Sequence, residues 1–168
     1  ANRAYRRAER VLSSVATADA AVQAVLSGVF EHAGVAHDAN DRLDDALAAF
    51  TRGYDIDKQL SRAAPENREY QLSLAISARH IGDVYRQKHE PVRAKKELTF
   101  ASGVLDRLIA RDPSNLRWHR EHVETLNLLG DVQKDAGESQ AARTSYENAV
   151  RRDEHMAARY PDDPGIAS

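Results

Sequence analysis

Apolar residues recur along this chain at intervals of three and four, the spacing that turns one face of an α-helix apolar. Leu74, Ala78, Ile81 and Tyr85 form one such stripe. Ala94, Leu98, Ala101, Leu105 and Leu108 form the next. No proline interrupts 67–87, and Pro91 stands where a following helix would begin, a place that tolerates its missing N–H. The polar segments "AAPEN" and "RDPSN" lie between such stripes, with a proline to stop one helix and polar residues to cap the next. The pattern predicts an all-α chain of helices joined by short polar turns.

The pattern also repeats. Gly34, Gly82 and Gly130 are spaced 48 residues apart, and no gap is needed to extend the register. Twelve residues after each glycine stand Ala46, Ala94 and Ala142; sixteen after stand Phe50, Leu98 and Tyr146. Pro65, Pro113 and Pro161 close the units. Self-similarity at such a period marks a stacked-repeat protein. The expected units are 19–65, 67–113 and 115–161, each a helix pair, followed by a tail over 162–168. Residues 2–17 keep the 3, 4, 3 spacing in Tyr5, Ala8, Leu12 and Val15, so a remnant second helix of an earlier unit is expected there. That makes about seven helices. Both ends fall inside the register, which predicts a piece of a longer chain.

Two recurrences carry specific structural expectations. A glycine inside a helix costs about 1 kcal/mol relative to alanine, so its return in every unit calls for a close helix contact. Ala46, Ala94 and Ala142 are the expected partners, with Phe50, Leu98 and Tyr146 filling the space beside them. Asp41, His89 and Gly137 share one position before the second helix, and all three residue types tolerate a left-handed backbone.

A helix pair with Gly, then a turn residue at seven, Ala at twelve, an aromatic or Leu at sixteen and a small residue at nineteen (Gly53, Ala101, Ala149) resembles the tetratricopeptide repeat. That family repeats every ~34 residues, so this chain is similar to a long-armed variant in which each helix gains about two turns. Such arrays are found in large bacterial multidomain proteins, some joined to signalling domains. The resemblance implies a right-handed α-α superhelix whose first helices line a concave groove. It places Glu31, Val35 and Asp38 on that groove in the first unit, Arg79, Asp83 and Arg86 in the second, and Asn127, Asp131 and Lys134 in the third. It also places Tyr70 and Trp118 in the core. Family members that clamp a carboxylate tail use Lys, Asn and basic residues where this chain has Glu31, Val35, His80, Glu124 and Leu128, so that activity is not implied.

Composition narrows the function classes. The charge is balanced, 24 basic against 26 acidic residues, which disfavours a nucleic-acid partner. No apolar run approaches the ~20 residues that span a bilayer. There is no cysteine, which excludes disulfides and thiolate chemistry and is compatible with any compartment.

The candidate chemistry is sparse. His119 and His122 stand at i,i+3 within "WHREHVE", not at the i,i+4 spacing of the H-E-x-x-H zinc motif, and a solvated polar face is expected. His32 and His80 occupy equivalent positions and are expected to be exposed. Asp83 is expected to pair with Arg79 four residues earlier, a contact worth a few tenths of a kcal/mol. The stretches "YRRAER" and "VRRDEH" are expected on outer solvated faces. No phosphate loop, nucleophile elbow or dinucleotide fingerprint occurs. No catalytic residue, cofactor or metal ligand set is therefore expected. The expected function is protein or peptide binding as a scaffold module. The alternatives are a structural spacer or self-association segment, and a sensor or regulatory arm of a bacterial signalling protein. Apolar surface at Tyr146, Val150 and Met156, and at Tyr5, Leu12 and Val15, predicts contact with another copy through exposed repeat ends.

Overall fold

The computed structural model describes residues 19–160, and among them every regular element is an α-helix. The six are α1 (Ala20–Asp38), α2 (Leu43–Ala63), α3 (Arg68–Gln87), α4 (Pro91–Arg111), α5 (Leu116–Asp135) and α6 (Ser139–Arg159). The helix expected over 2–17, with Tyr5, Leu12 and Val15, lies outside the described residues, as does the tail over 162–168.

The helix ends follow from local chemistry. Asp19 accepts a hydrogen bond from the backbone N–H of Ala21 at the start of α1. Asn67 accepts from Glu69 and Tyr70 at the start of α3, and Asn115 accepts from Trp118 at the start of α5. These three caps share one position in the 48-residue register, and each satisfies N–H groups that the first helical turn leaves unpaired. Pro91 opens α4 at its first turn, as expected.

The turns between α1 and α2, α3 and α4, and α5 and α6 have one geometry. Asp41, His89 and Gly137 take φ of 56°, 57° and 76°, the left-handed conformation their residue types allow. Around them, the N–H of Arg42, Glu90 and Glu138 donates to the carbonyl of His37, Tyr85 and Gln133 respectively. The N–H of Asp41, His89 and Gly137 donates to Asp38, Arg86 and Lys134. This paired bonding is the Schellman motif, which closes a helix and reverses the chain.

The chain divides into two compact units, Ala1–Ser77 and Ala78–Ser168, with the division inside α3. In the first, α1 packs along α2. Leu26, Phe30, Ala46, Ala49, Phe50 and Leu60 are buried there. Gly34 lies directly beneath the ring of Phe50. In the second, α4 packs on α5 and α5 on α6. Ala94, Leu98, Leu129 and Val132 form one buried cluster with Tyr85 and Leu128 at its edge. A methyl group on Gly82 would fall 2.7 Å from Leu98 Cγ, and one on Gly130 would fall 2.5 Å from Tyr146 Cε1. The glycine contact is therefore made by the large residue at the sixteenth position, and not chiefly by alanine as the sequence suggested. Ala46, Ala94 and Ala142 are buried, and the Ala94 carbonyl lies 3.3 Å from the methyl position on Gly82. Trp118 is buried, as expected, whereas Tyr70 is only half-buried.

Candidate functional site

The nine positions assigned to a concave face differ in what they leave open to a partner. In the first unit, Val35 is exposed, and Glu31 and Asp38 are half-buried. In the second, Arg79 does not pair with Asp83. Its guanidinium reaches from α3 to α5, where it lies 3.2 Å from Glu121 Oε2 and 3.2 Å from Glu124 Oε2. Asp83 instead accepts from Arg86 at 2.7 Å and from Gln87 at 3.3 Å on its own helix. Local i,i+4 arithmetic lost to a doubly bonded partner on the neighbouring helix, because two carboxylates hold one guanidinium more firmly than one exposed pair does. Asp131 accepts a 2.7 Å hydrogen bond from the hydroxyl of Tyr146 and is half-buried. Desolvation, with Asp131 close by, pushes the Tyr146 phenol up to about 12. Asn127 and Lys134 are exposed.

His119 and His122 do not lie on a solvated face: both are buried, with His122 only 1% exposed. α5 carries them against α4 and α6, where they line a cleft of about 660 Å³ with Ser102, Asp106, Arg152 and His155. His122 Nε2 meets Ser102 Oγ at 2.8 Å, and its Nδ1 lies 3.6 Å from Asp106. Arg152 of α6 donates to Asp106 at 2.6 Å, so part of "VRRDEH" is a helix-to-helix tie and not an outer face. His119 Nε2 donates to the carbonyl of Pro113 at 3.1 Å, which fixes its proton on that nitrogen. Burial depresses both imidazoles, assisted by the positive charge of Arg152, and takes His122 down to about 4.

The order Ser102, His122, Asp106 imitates the residues of an acyl-transfer triad, but the geometry does not fit that chemistry. Ser102 sits inside α4, where its backbone N–H is spent in the helix and cannot stabilise an oxyanion. Burial holds His122 well below the usual imidazole range, which makes it a weak general base toward a serine hydroxyl. Nδ1 is beyond hydrogen-bond reach of Asp106. Among the described residues, no group of three or more His, Cys, Asp or Glu side chains is placed to hold a metal ion. Elsewhere, His32 is exposed and its Nδ1 bonds the carbonyl of Gly28 at 2.7 Å, while His80 is half-buried.

Sequence reasoning missed a third polar group. Asp57, on α2, is only 2% exposed. Its carboxylate accepts from Ser77 Oγ at 2.6 Å, and the Ser27 hydroxyl, which donates to the Gly53 carbonyl at 3.3 Å, lies close enough to influence it. Desolvation raises its pKa against the opposing pull of those two hydroxyls. The 48-residue register held a signal: Leu105 stands at the equivalent place and is buried, so position 57 is a core position.

Along α6 and the end of α5, an open groove of about 680 Å³ is lined by Ala142, Tyr146 and Val150, with Lys134, Arg143, Arg151 and the single acid Glu147 around them. Val150 is 54% exposed, as the sequence led one to expect, but Met156 is buried. Among the described residues, no helix is long and apolar enough to cross a membrane.

No family model matches the chain, and no curated protein matches it. Among solved structures, the crystal structure of BtubC (BKLC) from P. vanneervenii is similar at 16% identity, over 90% of this chain and 74% of that one, with a TM-score of 0.41. A likeness at that level carries no argument about fold or function.

Proposed function

We propose that this chain is a protein- or peptide-binding scaffold module, a long-armed tetratricopeptide-like superhelix that binds through its first helices. The observation that carries this reading is the threefold recurrence of one helix-pair design. Caps at Asp19, Asn67 and Asn115, left-handed turns at Asp41, His89 and Gly137, and a glycine beneath Phe50, Leu98 or Tyr146 all keep the same register. Stacked units of this kind offer extended surfaces and bind by complementarity along them. The reading is non-catalytic, and the burial and weak basicity of His122 support it.

Within this proposal, exposed residues are the ones that select the partner. Arg79 is spent on Glu121 and Glu124, and Asp83 on Arg86, so those five residues set the shape of the surface more than its charge. Val35 and Asn127 are exposed and meet a ligand first. An array of immobilised peptides probed with the chain tests this. Val35→Glu with Asn127→Arg is expected to abolish the bound set, with the circular dichroism spectrum unchanged. Retention of the full set in that variant would move binding away from the first helices.

A further inference from the structure

The α4–α5 interface shows what covers this kind of helix face. Ala94 and Leu98 of α4 are sealed by Leu129 and Val132 of α5. One turn further along α4, Ser102 meets His122 at 2.8 Å. At the other end of the contact, Lys95 holds Glu138 at 2.7 Å, and Arg86 faces Asp135 across a pocket of about 150 Å³.

Shifted by 48 residues, the same face is present on α6 with nothing over it among the described residues. Ala142 and Tyr146 stand for Ala94 and Leu98, Val150 for Ser102, Arg143 for Lys95, and Lys134 for Arg86. These residues line the 680 Å³ groove. Two features show that it is a face built to be covered. Val150 puts a more apolar side chain than its counterpart Ser102 at a place 54% open to water. Arg143, whose counterpart Lys95 reaches Glu138 in the turn after α5, bonds only Glu147 of its own helix among the described residues, at 2.7 Å. An exposed i,i+4 pair of this kind is weak and easily exchanged for another carboxylate.

We infer that the α6 groove is a docking site for an amphipathic helix with an acidic C-terminal end. The recognition chemistry follows from the template. The occupant places an aliphatic residue on Val150 and, seven and ten residues later, two more over Tyr146 and Ala142, the spacing of His122, Leu129 and Val132. It then supplies a carboxylate to Arg143, where Glu138, just past the end of α5, meets Lys95, and a second beside Lys134, where Asp135 lines one pocket with Arg86. Helix-in-groove docking of this type reads apolar anchors at helical spacing, and the basic rim selects the acidic end. A second copy of this chain fits less well. In the repeat register its α1 would bring Arg42 to the place of Glu138, setting like charges against Arg143.

The site shares Lys134 with the first-helix surface proposed above, but Val150 and Arg143 lie on α6 and outside that surface, so variants at those two positions report on this groove alone. The probe is a fluorescently labelled synthetic peptide copying residues 116–138 with the change His122→Leu, titrated with the whole chain and read by anisotropy. Saturable binding is expected. Val150→Asp is expected to weaken it about tenfold or more, since one buried aliphatic contact is lost and a charge is placed in the groove. Arg143→Glu should weaken it about two- to fivefold, the worth of a rim ion pair, and a peptide carrying Glu138→Lys should recover that loss. Both positions are exposed, so the variants keep the fold, which circular dichroism checks. The inference is overturned by three outcomes: no saturable binding, binding indifferent to Val150→Asp, or sedimentation showing self-association that Val150→Asp abolishes. The last would make a second copy the occupant.

Discussion

The ring of Tyr146 rests on the α-carbon of Gly130, close enough that an added methyl group would fall 2.5 Å from Tyr146 Cε1. The same contact at Gly82 is made by Leu98, which has no exposed surface and is enclosed by the Ala94 carbonyl and the α5 cluster. Tyr146 is half-buried beside an open groove and has room to swing aside. Nothing lies within 4 Å of a methyl on Gly28. Three Gly→Ala substitutions should therefore separate. Each gains about 1 kcal/mol of helix propensity. Gly28→Ala should keep that gain. Gly130→Ala should be close to neutral, and Gly82→Ala should lose about 1–2 kcal/mol after overpacking is counted. Urea midpoints in that order support the contact; equal shifts for Gly28→Ala and Gly82→Ala would refute it.

Asp57 raises a different question, because its burial is costly and its counterpart Leu105 shows that an aliphatic side chain can occupy that place in the register. Removing only one member of a buried polar group leaves its partners unsatisfied, at about 1–3 kcal/mol each. Replacing all of them with apolar groups of similar shape is often neutral or stabilising. Ser77→Ala is therefore expected to destabilise the chain, and the triple change Ser27→Ala, Asp57→Leu, Ser77→Val to match or exceed the parent in thermal midpoint. A triple variant less stable than Ser77→Ala would mean that the polar group contributes net stability.

The histidine cleft sets a pH dependence of definite sign. His122 titrates near 6.5 when unfolded and near 4 when folded, so the unfolded chain binds more protons between those values. Stability from this group is complete above pH 6.5 and falls as pH drops toward 4. The full loss is about 3 kcal/mol for a shift of this size. His119 is depressed too and adds loss of the same sign. Asp57, with its raised pKa, works in the opposite direction and gains stability on acidification. Denaturation measured at several pH values should show stability falling from pH 7 to 4.5, and His122→Gln should flatten that slope. An unchanged slope in His122→Gln would place the titration elsewhere.

How far the sequence foretold these features depends on how far apart the partners lie. Caps, turns and helix stripes are set by neighbours within a few residues, so Asn67, Pro91 and His89 announced their roles directly. The glycine contact was visible only through the period, which tied Gly34 to Phe50 and Gly130 to Tyr146 without showing which side chain would lie on top. Arg79 had Asp83 in view four residues away, yet bonds Glu121, 42 residues on. His119 and His122 sit among charged neighbours in "WHREHVE", and only the packing of α4 and α6 against α5 reveals their burial. The concave-face residues came from family resemblance, and residue chemistry alone did not single them out.

The three turns offer a test of local strain within one molecule. Asp41, His89 and Gly137 hold the same left-handed conformation with φ of 56°, 57° and 76°, but only glycine adopts it without steric cost. Imidazole gives His89 less relief than the short carboxylate gives Asp41, and His89 is exposed, so its side chain has little packing to lose. His89→Gly should thus stabilise the chain by about 0.5–1 kcal/mol, with the relieved strain exceeding the added backbone entropy of the unfolded state. Gly137→Ala should destabilise it by about 1–2 kcal/mol, since alanine must take up a backbone it disfavours. The Schellman bonds from Glu90 to Tyr85 and from Glu138 to Gln133 should persist in both variants, leaving amide exchange at those sites slow. Opposite shifts in the urea midpoint are expected. A loss of stability in His89→Gly would show that the histidine side chain, and not the backbone, holds that turn.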